Sequence, residues 1–407
     1  MRTAVVGVNY ASAPMAIRER LSVSGHELDS ALSILRSRAR EALVLSTCNR
    51  TEVYGVFDDS AAGVELLEAF LAEWGRLPLD DVRAVAYARE HAAAVRHALR
   101  VASGLESMVL GEDQIQAQVK QALAAARHAE TLGPTLERLG SAALACGKRV
   151  RTFTGIGRHS VSLESLAVRR ARERLGSLER WNVVVLGAGE SASLVARQLK
   201  SVGATALTVV SRSSERASAL ALAVNAEARS LADLADVMAT ADVVFCCASA
   251  PHPVLTPDFL THRAALRPGA PLLCVDLGMP RDVDPFVTMI PGVSILTLDE
   301  LAGVAETHRE ARRADVPAAE AIVDTEVGRF LEWLNARAAA ERIAAVDAHA
   351  TAVAENELTR ALVQLPALGP REREILAEMA YRIARKLSHQ PKQALKQDTG
   401  PKRMALG

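Results

Sequence analysis

The sequence predicts an α/β multidomain protein in three parts, divided near residues 1–157, 158–298 and 299–407. Three observations carry this reading. Up to about residue 150, short β-rich runs alternate with amphipathic helical stretches, the pattern of an α+β unit. The β-rich run Val183 to Leu186 then enters the turn Gly187-Ala188-Gly189 and leaves it in a helical pattern, the entry to a doubly wound parallel sheet. From Asp299 to about Ala354 the chain is long, alanine-rich and charged, which reads as extended helix.

Composition sets limits. A chain of 407 residues is too long for one core. Its 48 basic and 48 acidic side chains cancel, so nucleic acid would be held by a local patch and not by a global field. Aromatic residues are only 3%, too few for a platform on which single strands stack. The five cysteines (48, 146, 246, 247 and 274) lack metal-ligand spacing, and no metal is expected. No apolar run reaches bilayer length and no secretory leader is read, so a cytoplasmic protein without disulfides is expected.

Thr3 to Val8 reads as an opening strand that leads into Gly7-Val8-Asn9-Tyr10-Ala11-Ser12-Ala13-Pro14, and Arg18-Glu19-Arg20 follow. Ser24 and Glu27 are spaced as a capping box for a helix whose Leu28, Ala31, Leu32 and Leu35 share a face. The apolar run Ala42 to Leu45 then meets Ser46-Thr47-Cys48-Asn49-Arg50-Thr51-Glu52 and the strand-like Val53 to Phe57, which places Cys48 on a tight connection between two strands. A free thiol is mostly protonated at neutral pH. Arg50, two residues on, would share a face with Cys48 on extended chain and lower its pKa, or clamp a substrate carboxylate. Taken locally, a structural cysteine beside a surface arginine fits equally well.

A helix near Gly63 to Trp74 comes next. His97 and Arg100 then lie three apart on one helical face, and Ser103-Gly104 interrupts that helix. A helical hairpin turns at Gly133-Pro134, and its second arm ends in the basic cluster Lys148-Arg149-Val150-Arg151. That cluster reads as cations at a helix C-terminus or as a phosphate-contact surface. Cys146 reads as packing within that arm.

In the second part, Gly187 permits the turn, Gly189 lets the backbone approach a pyrophosphate, and Ala192 lets the helix pack closely. The helix N-terminus supplies amide donors. Gly187, Ala188, Gly189, Glu190, Ser191 and Ala192 are therefore the expected cofactor residues of a Rossmann-type domain. The next strand, Thr205 to Val210, ends in Ser211-Arg212-Ser213 where an NAD enzyme would carry an acidic residue. Arginine with serines suits the 2′-phosphate of NADPH. Cys246 and Cys247 read as filling a buried strand. Asp276 and Arg281-Asp282 read as turn chemistry and a surface pair. Pro317, inside the long helical stretch, predicts a kink or a fresh start with Asp315 near the cap.

Ser46-Thr47-Cys48-Asn49-Arg50-Thr51-Glu52 resembles the nucleophile motif of the glutamyl-tRNA reductases, and further matches run in that family's order to about Lys396. His97 with Arg100-Val101-Ala102-Ser103-Gly104-Leu105, Gly111-Glu112-Asp113-Gln114-Ile115 with Gln118, and Val161-Ser162-Leu163 all resemble family stretches. So does Asp276 with Pro280-Arg281-Asp282-Val283. Tyr10, Asp113 and Phe153 depart from the usual residues. The resemblance implies Cys48 as nucleophile and His97 as acid–base partner. It implies a glutamyl pocket of Thr47, Asn49, Arg50, Ser107, Glu112, Asp113, Gln114, Gln118 and Ser162.

The resemblance further implies NADPH-dependent reduction of glutamyl-tRNA to glutamate-1-semialdehyde through a cysteinyl thioester, the committed step of the C5 route to 5-aminolevulinate and tetrapyrroles. It implies an N-terminal catalytic domain, an NADP-binding domain brought to it by a hinge motion, a long connecting helix, a C-terminal all-α dimerisation domain and a homodimer. Handover of product to an aminomutase belongs to the same expectation, as does a disordered tail from Asp398. Two other readings stay open at this point. One is an NADPH oxidoreductase acting on a small free acid; the other is a non-catalytic tRNA-binding dimer.

Overall fold

The computed structural model describes residues 2–25, 27–157, 162–248, 250–311 and 313–398. His26, Val161 and the tail beyond Asp398 lie outside the described residues. The chain forms two compact units, Met1–Val327 and Gly328–Gly407. Among the described residues no helix is long and apolar enough to cross a membrane.

The first unit opens with β1 (Arg2–Asn9), α1 (Met15–Leu21), α2 (Leu28–Arg36), β2 (Glu41–Ser46), β3 (Arg50–Phe57), α3 (Ser60–Gly75), α4 (Leu79–Val85), β4 (Tyr87–Glu90), α5 (His91–Ala102), α6 (Gln114–His128) and α7 (Pro134–Phe153). The four strands form an antiparallel sheet in the order β2-β3-β1-β4. Every residue of β3 is buried, so the sheet is covered on both faces there, with α3 against β1 and β3 and α6 against β2. The same strand carries Arg50, Thr51 and Glu52. Polar groups so placed have to satisfy one another. Gly7 lies opposite Glu52 in the β1–β3 register, and a Cβ there would stand 2.8 Å from Glu52 Cγ, so this glycine makes the room that Glu52 occupies. Before α2 one arm of the expected capping box forms: the Glu27 carboxylate accepts from the Ser24 N–H at 3.1 Å, while the Glu27 N–H donates to the Ser24 backbone carbonyl at 2.9 Å and not to its hydroxyl.

After α8 (Leu163–Leu175) comes the second sheet: β5 (Val183–Leu186), α9 (Glu190–Ser201), β6 (Leu207–Ser211), α10 (Ser214–Val224), β7 (Glu227–Ser230), α11 (Leu234–Thr240), β8 (Val243–Cys246), α12 (Pro257–Leu266), β9 (Leu272–Asp276) and β10 (Val293–Leu296). All six strands are parallel, in the order β10-β9-β8-β5-β6-β7. This is the Rossmann order. The direction of winding reverses between β5 and β8, and the crevice beyond their carboxyl ends is where such sheets bind ligands. The core strands are apolar apart from Asp276 at the end of β9, as a sheet covered on both faces requires.

Next, α13 (Leu298–Ala311) gives way to a short 3-10 turn at Arg313–Asp315, and α14 (Val316–Gln364) begins beside it. Pro317 is the second residue of α14, where its missing N–H has no intrahelical acceptor to lose, so it starts a helix and does not kink one. Asp315 stands at that start, as expected. The second unit contains the rest of α14 and α15 (Pro370–Asp398), which runs on to Asp398. Met379, Ile383 and Leu387, spaced along α15, are exposed apolar residues.

Candidate active site

The β2–β3 connection is a tight hairpin. Thr47 N–H donates to the Arg50 carbonyl at 2.8 Å, and Thr47 Oγ1 accepts from the amides of Asn49 and Arg50 at 3.2 and 3.3 Å. Tyr10 N–H donates to the Asn49 carbonyl at 2.9 Å, which ties the end of β1 to the same turn. Cys48 therefore sits at a rigid hairpin tip, half-buried, with Arg18 Nη1 3.4 Å from its carbonyl oxygen.

Arg50 is not the cation that bears on the thiol. Its side chain follows the alternation of β3 and pairs with Glu52 at 2.7 Å, and its Nη2 donates to the Glu106 carbonyl. Arg18 is the cation beside Cys48. It is outweighed: burial pushes the thiol well above its ordinary range, and Glu112 and Glu164 push the same way. Burial and these two carboxylates thus favour the neutral thiol of Cys48 over the thiolate that a neighbouring Arg50 would favour.

Glu52 is a hub. Its Oε1 accepts from Arg50 Nη1 at 2.7 Å, Tyr87 Oη at 2.6 Å and His97 Nε2 at 2.9 Å; its Oε2 accepts from Tyr54 Oη at 2.6 Å. Burial alone would raise this carboxyl, but His97 and Arg50 hold it far below the usual carboxylate range. The same hub pushes both tyrosines up: burial first, then the Glu52 charge, keep Tyr54 and Tyr87 protonated. His97 is buried on α5 with its ring tilted against Tyr87. Its Nε2 is committed to Glu52, so the acid–base partner expected beside Cys48 belongs to the network that holds Arg50.

Beyond α5 the loop 103–113 brings in Ser107 and Glu112, both buried, and α6 brings in Gln114 and Gln118. Gln114 Nε2 donates to Glu164 Oε2 at 2.9 Å. Glu112 is pushed up to about 8 by burial and by Glu164. Asn49 Oδ1 is buried without a hydrogen-bond partner among the described residues. An orphaned acceptor beside the nucleophile is what a site for a hydrogen-bonding ligand leaves open. Asp113 is exposed at the start of α6, unlike the buried Glu112 and Gln114 beside it, and of the expected glutamyl-pocket residues Gln118 lines the cleft. Ser162 caps α8, with Oγ accepting from the Ser165 amide at 3.1 Å.

The cleft at the β5/β8 reversal is a cavity of about 490 Å³. Gly187, Ala188, Gly189, Glu190, Ser191, Ser211 and Arg212 line it, and so do Cys48 and Gln118. Gly187 has φ 122°, and a Cβ there would meet the Cys247 carbonyl oxygen at 2.7 Å. At Gly189 a Cβ would meet only open space, leaving the backbone bare at the N-terminus of α9. Ala192 does not line the cleft; it is buried against the sheet, where its small side chain lets α9 pack closely. The residues present fit a dinucleotide, with bare amides for a pyrophosphate and, at the end of β6, Arg212 and Arg216 beside Ser211 and Ser213.

Sequence reasoning missed several of these residues. Cys247 was read as core filling, but it sits just past β8 and lines the cleft. For Asp282, which the resemblance places in a loop bordering the nicotinamide side, the alternative of a surface pair fails: it is fully buried and accepts from the amides of Ala248 and Ala250 at 2.7 and 3.0 Å. Asp276 is likewise buried and accepts from Gly278, Asp282 and Val283. Of the basic cluster on α7, Arg149 pairs with Glu326 of α14. Glu164, Arg18 and Arg216 carried no local signal beyond their charge.

Comparison with known proteins gives three family matches. Residues 6–154 match the N-terminal domain of glutamyl-tRNAGlu reductase, 169–304 match shikimate/quinate 5-dehydrogenase, and 318–406 match the glutamyl-tRNAGlu reductase dimerisation domain. The chain is 41% identical over 396 residues to the glutamyl-tRNA reductase of Roseiflexus castenholzii, covering 97% of this chain and 93% of that protein. It is 38% identical over 392 residues to that of Moorella thermoacetica, covering 96% and 89%. The solved glutamyl-tRNA reductase of Methanopyrus kandleri is 31% identical, covers 98% of both chains and superposes with a TM-score of 0.51.

Proposed function

Because the chain is an oxidoreductase of the glutamyl-tRNA reductase family, we propose that it reduces the glutamyl group of glutamyl-tRNA to glutamate-1-semialdehyde through a thioester on Cys48. The observation that carries this reading is the shared cavity: Cys48 and the glycine turn line one cleft, so a group held on the sulfur meets the dinucleotide site directly. Cys48 Sγ attacks the ester carbonyl and loses its proton; the ester C–O bond breaks, and the RNA leaves with a protonated hydroxyl. The hairpin hydrogen bonds fix the sulfur, and the orphaned Asn49 Oδ1 accepts from the substrate's α-ammonium. Arg50, held by Glu52, addresses the side-chain carboxylate. Thr47, Ser107, Glu112, Gln114, Gln118 and Ser162 complete the enclosure, and acid–base help is assigned to His97, whose ring Glu52 orients.

When bound, the nicotinamide cofactor supplies hydride to the acyl carbon. The carbon–sulfur bond then breaks, Cys48 regains its proton, and the aldehyde departs. Arg212 and Arg216 favour a cofactor with a 2′-phosphate, and hence NADPH. The exposed apolar face of α15 supports a homodimer through the C-terminal domain, with a cytoplasmic site of action and product handover to an aminomutase completing the reading. The test is NADPH oxidation with glutamyl-tRNA against free glutamate, with Cys48→Ser beside wild type. The reading expects turnover with charged RNA only, and neither adduct nor product from the variant while NADPH still binds. Wild-type adduct levels on Cys48→Ser would overturn it.

A further inference from the structure

Two consecutive residues of α1, Arg18 beside Cys48 and Glu19, join the nucleophile hairpin to the cofactor half. Glu19 spends both carboxylate oxygens on Arg281: Nε and the backbone N–H meet Oε1 at 2.6 and 2.8 Å, and Nη2 meets Oε2 at 2.6 Å. A bidentate fork with a third donor fixes orientation as well as distance. Arg18 donates from Nε to the Ala13 carbonyl at 3.1 Å and from Nη2 to Asp299 at 2.6 Å, and its Nη1 reaches the Cys48 carbonyl at 3.4 Å. Asp299 opens α13, directly after the last strand of the Rossmann sheet.

Arg281 stands in the loop after β9, and that loop is rigid. Asp276 accepts from three of its amides, and the next residue, Asp282, accepts from Ala248 and Ala250, which line the cleft. Polar contacts, joined by the chain itself between Arg18 and Glu19 and between Arg281 and Asp282, therefore run from the Cys48 carbonyl to the wall of the dinucleotide cavity. The Glu19–Arg281 pair remains partly open to water, with side-chain exposures of 16% and 25%, so it can part and re-form.

We propose that Glu19, Arg281 and Arg18 are positioning residues for the second half of the reaction: they clamp the cofactor half onto the hairpin so that an acyl group on Cys48 faces the nicotinamide. They touch neither substrate nor cofactor. The Glu19–Arg281 pair does not bear on acylation, because the hairpin's own hydrogen bonds already fix the sulfur; Arg18, which also touches the Cys48 carbonyl, is left unchanged in the test. The inference rests on the acyl-enzyme reading above.

The test separates the two steps. Full-length wild type, Arg281→Ala, Arg281→Lys and Glu19→Gln are mixed with glutamyl-tRNA carrying labelled glutamate. Labelled protein is trapped without NADPH to give the acylation rate. NADPH is then added, and aldehyde and free glutamate are quantified. Arg281→Ala and Glu19→Gln are expected to acylate within about twofold of wild type and bind NADPH normally, yet to reduce the thioester about tenfold more slowly, the effect of roughly 1.4 kcal/mol at the transition state. Their standing thioester, longer exposed to water, yields a larger share of free glutamate. Arg281→Lys keeps the charge but not the fork and is expected to fall between.

Reduction at the wild-type rate in Arg281→Ala overturns the clamp while leaving the acyl-enzyme reading intact. Parallel loss of acylation and NADPH binding assigns these residues to folding alone and also overturns it. A wild-type protein that forms no labelled adduct refutes the acyl-enzyme reading itself.

Discussion

Replacing Glu52 with glutamine keeps the side chain's shape and removes its charge, so it isolates what the hub does. Four donors converge on this carboxylate within 2.6–2.9 Å. An amide can still accept at one end, and the Tyr54 hydroxyl can rotate to accept at the other. The loss is therefore mainly electrostatic: Arg50, only 2% exposed, becomes a buried cation with no counter-ion. Breaking a buried pair from one side costs about 3–5 kcal/mol. A multidomain chain has no single unfolding free energy, so the measurement is hydrogen exchange at the β3 amides. Protection there is expected to fall by a factor on the order of 10²–10³. Because the native carboxyl is depressed, its stabilisation is complete above about pH 4.3, the unfolded value, and fades only as pH falls well below that. The variant's deficit should accordingly shrink in acid. A loss of protection under about fivefold, with acylation unchanged, would refute the view that Glu52 holds Arg50 in place.

Glu112, raised to about 8, has the opposite sign. The folded state binds its proton more tightly, so stability is lost as pH climbs from about 4.3 toward 8, with an upper bound of about 5 kcal/mol. Glu112→Gln should flatten that fall, read as hydrogen-exchange protection of the 103–113 and α6 amides that, corrected for intrinsic exchange, no longer declines between pH 5 and 8; an unchanged pH profile counts against the assignment. Gly187→Ala forces a Cβ into the Cys247 carbonyl at a φ that favours glycine, at a cost of roughly 2 kcal/mol or more. NADPH binding by titration should be lost while acylation of Cys48 persists, and retained binding would contradict the steric argument. Arg212→Ala and Arg216→Ala should each weaken NADPH by roughly 10- to 100-fold and leave NADH nearly unchanged, since a lost charge-assisted contact is worth about 1.5–3 kcal/mol. Equal losses for both cofactors would remove these residues from 2′-phosphate recognition.

The parts of this molecule that were legible in the sequence are those whose signal is local. The hairpin around Cys48 announces itself by two apolar strands and a polar turn, and the glycine turn by its strand before and helix after. Pro317 marks the start of a helix because its chemistry allows few other places. Missed residues act through partners distant in the chain. Proximity pairs Arg50 with Cys48, but Cys48 lies in the turn before β3, while Glu52, two residues along the strand, shares the face of Arg50 and takes it. Glu52 looked like one more polar residue at a strand start, and only the arrival of His97 and Tyr87 from elsewhere makes it a hub. Glu164 meets Gln114 across 50 residues, and Glu19 meets Arg281 across 262. Cys247 differs from Cys246 by one position, yet that step carries it off the end of β8 and into the cleft.

The wall of the cavity is assembled from both halves of the first unit, sulfur from one and bare amides from the other. Neither half is a reagent alone. A graft that exchanged residues 169–304 for the corresponding part of another dehydrogenase would keep the dinucleotide and lose the address at which hydride is delivered, unless the partners of Arg18 and Glu19 travelled with it. Inheritance of this chemistry is thus bound to the seam, and the seam constrains how far either half can drift on its own.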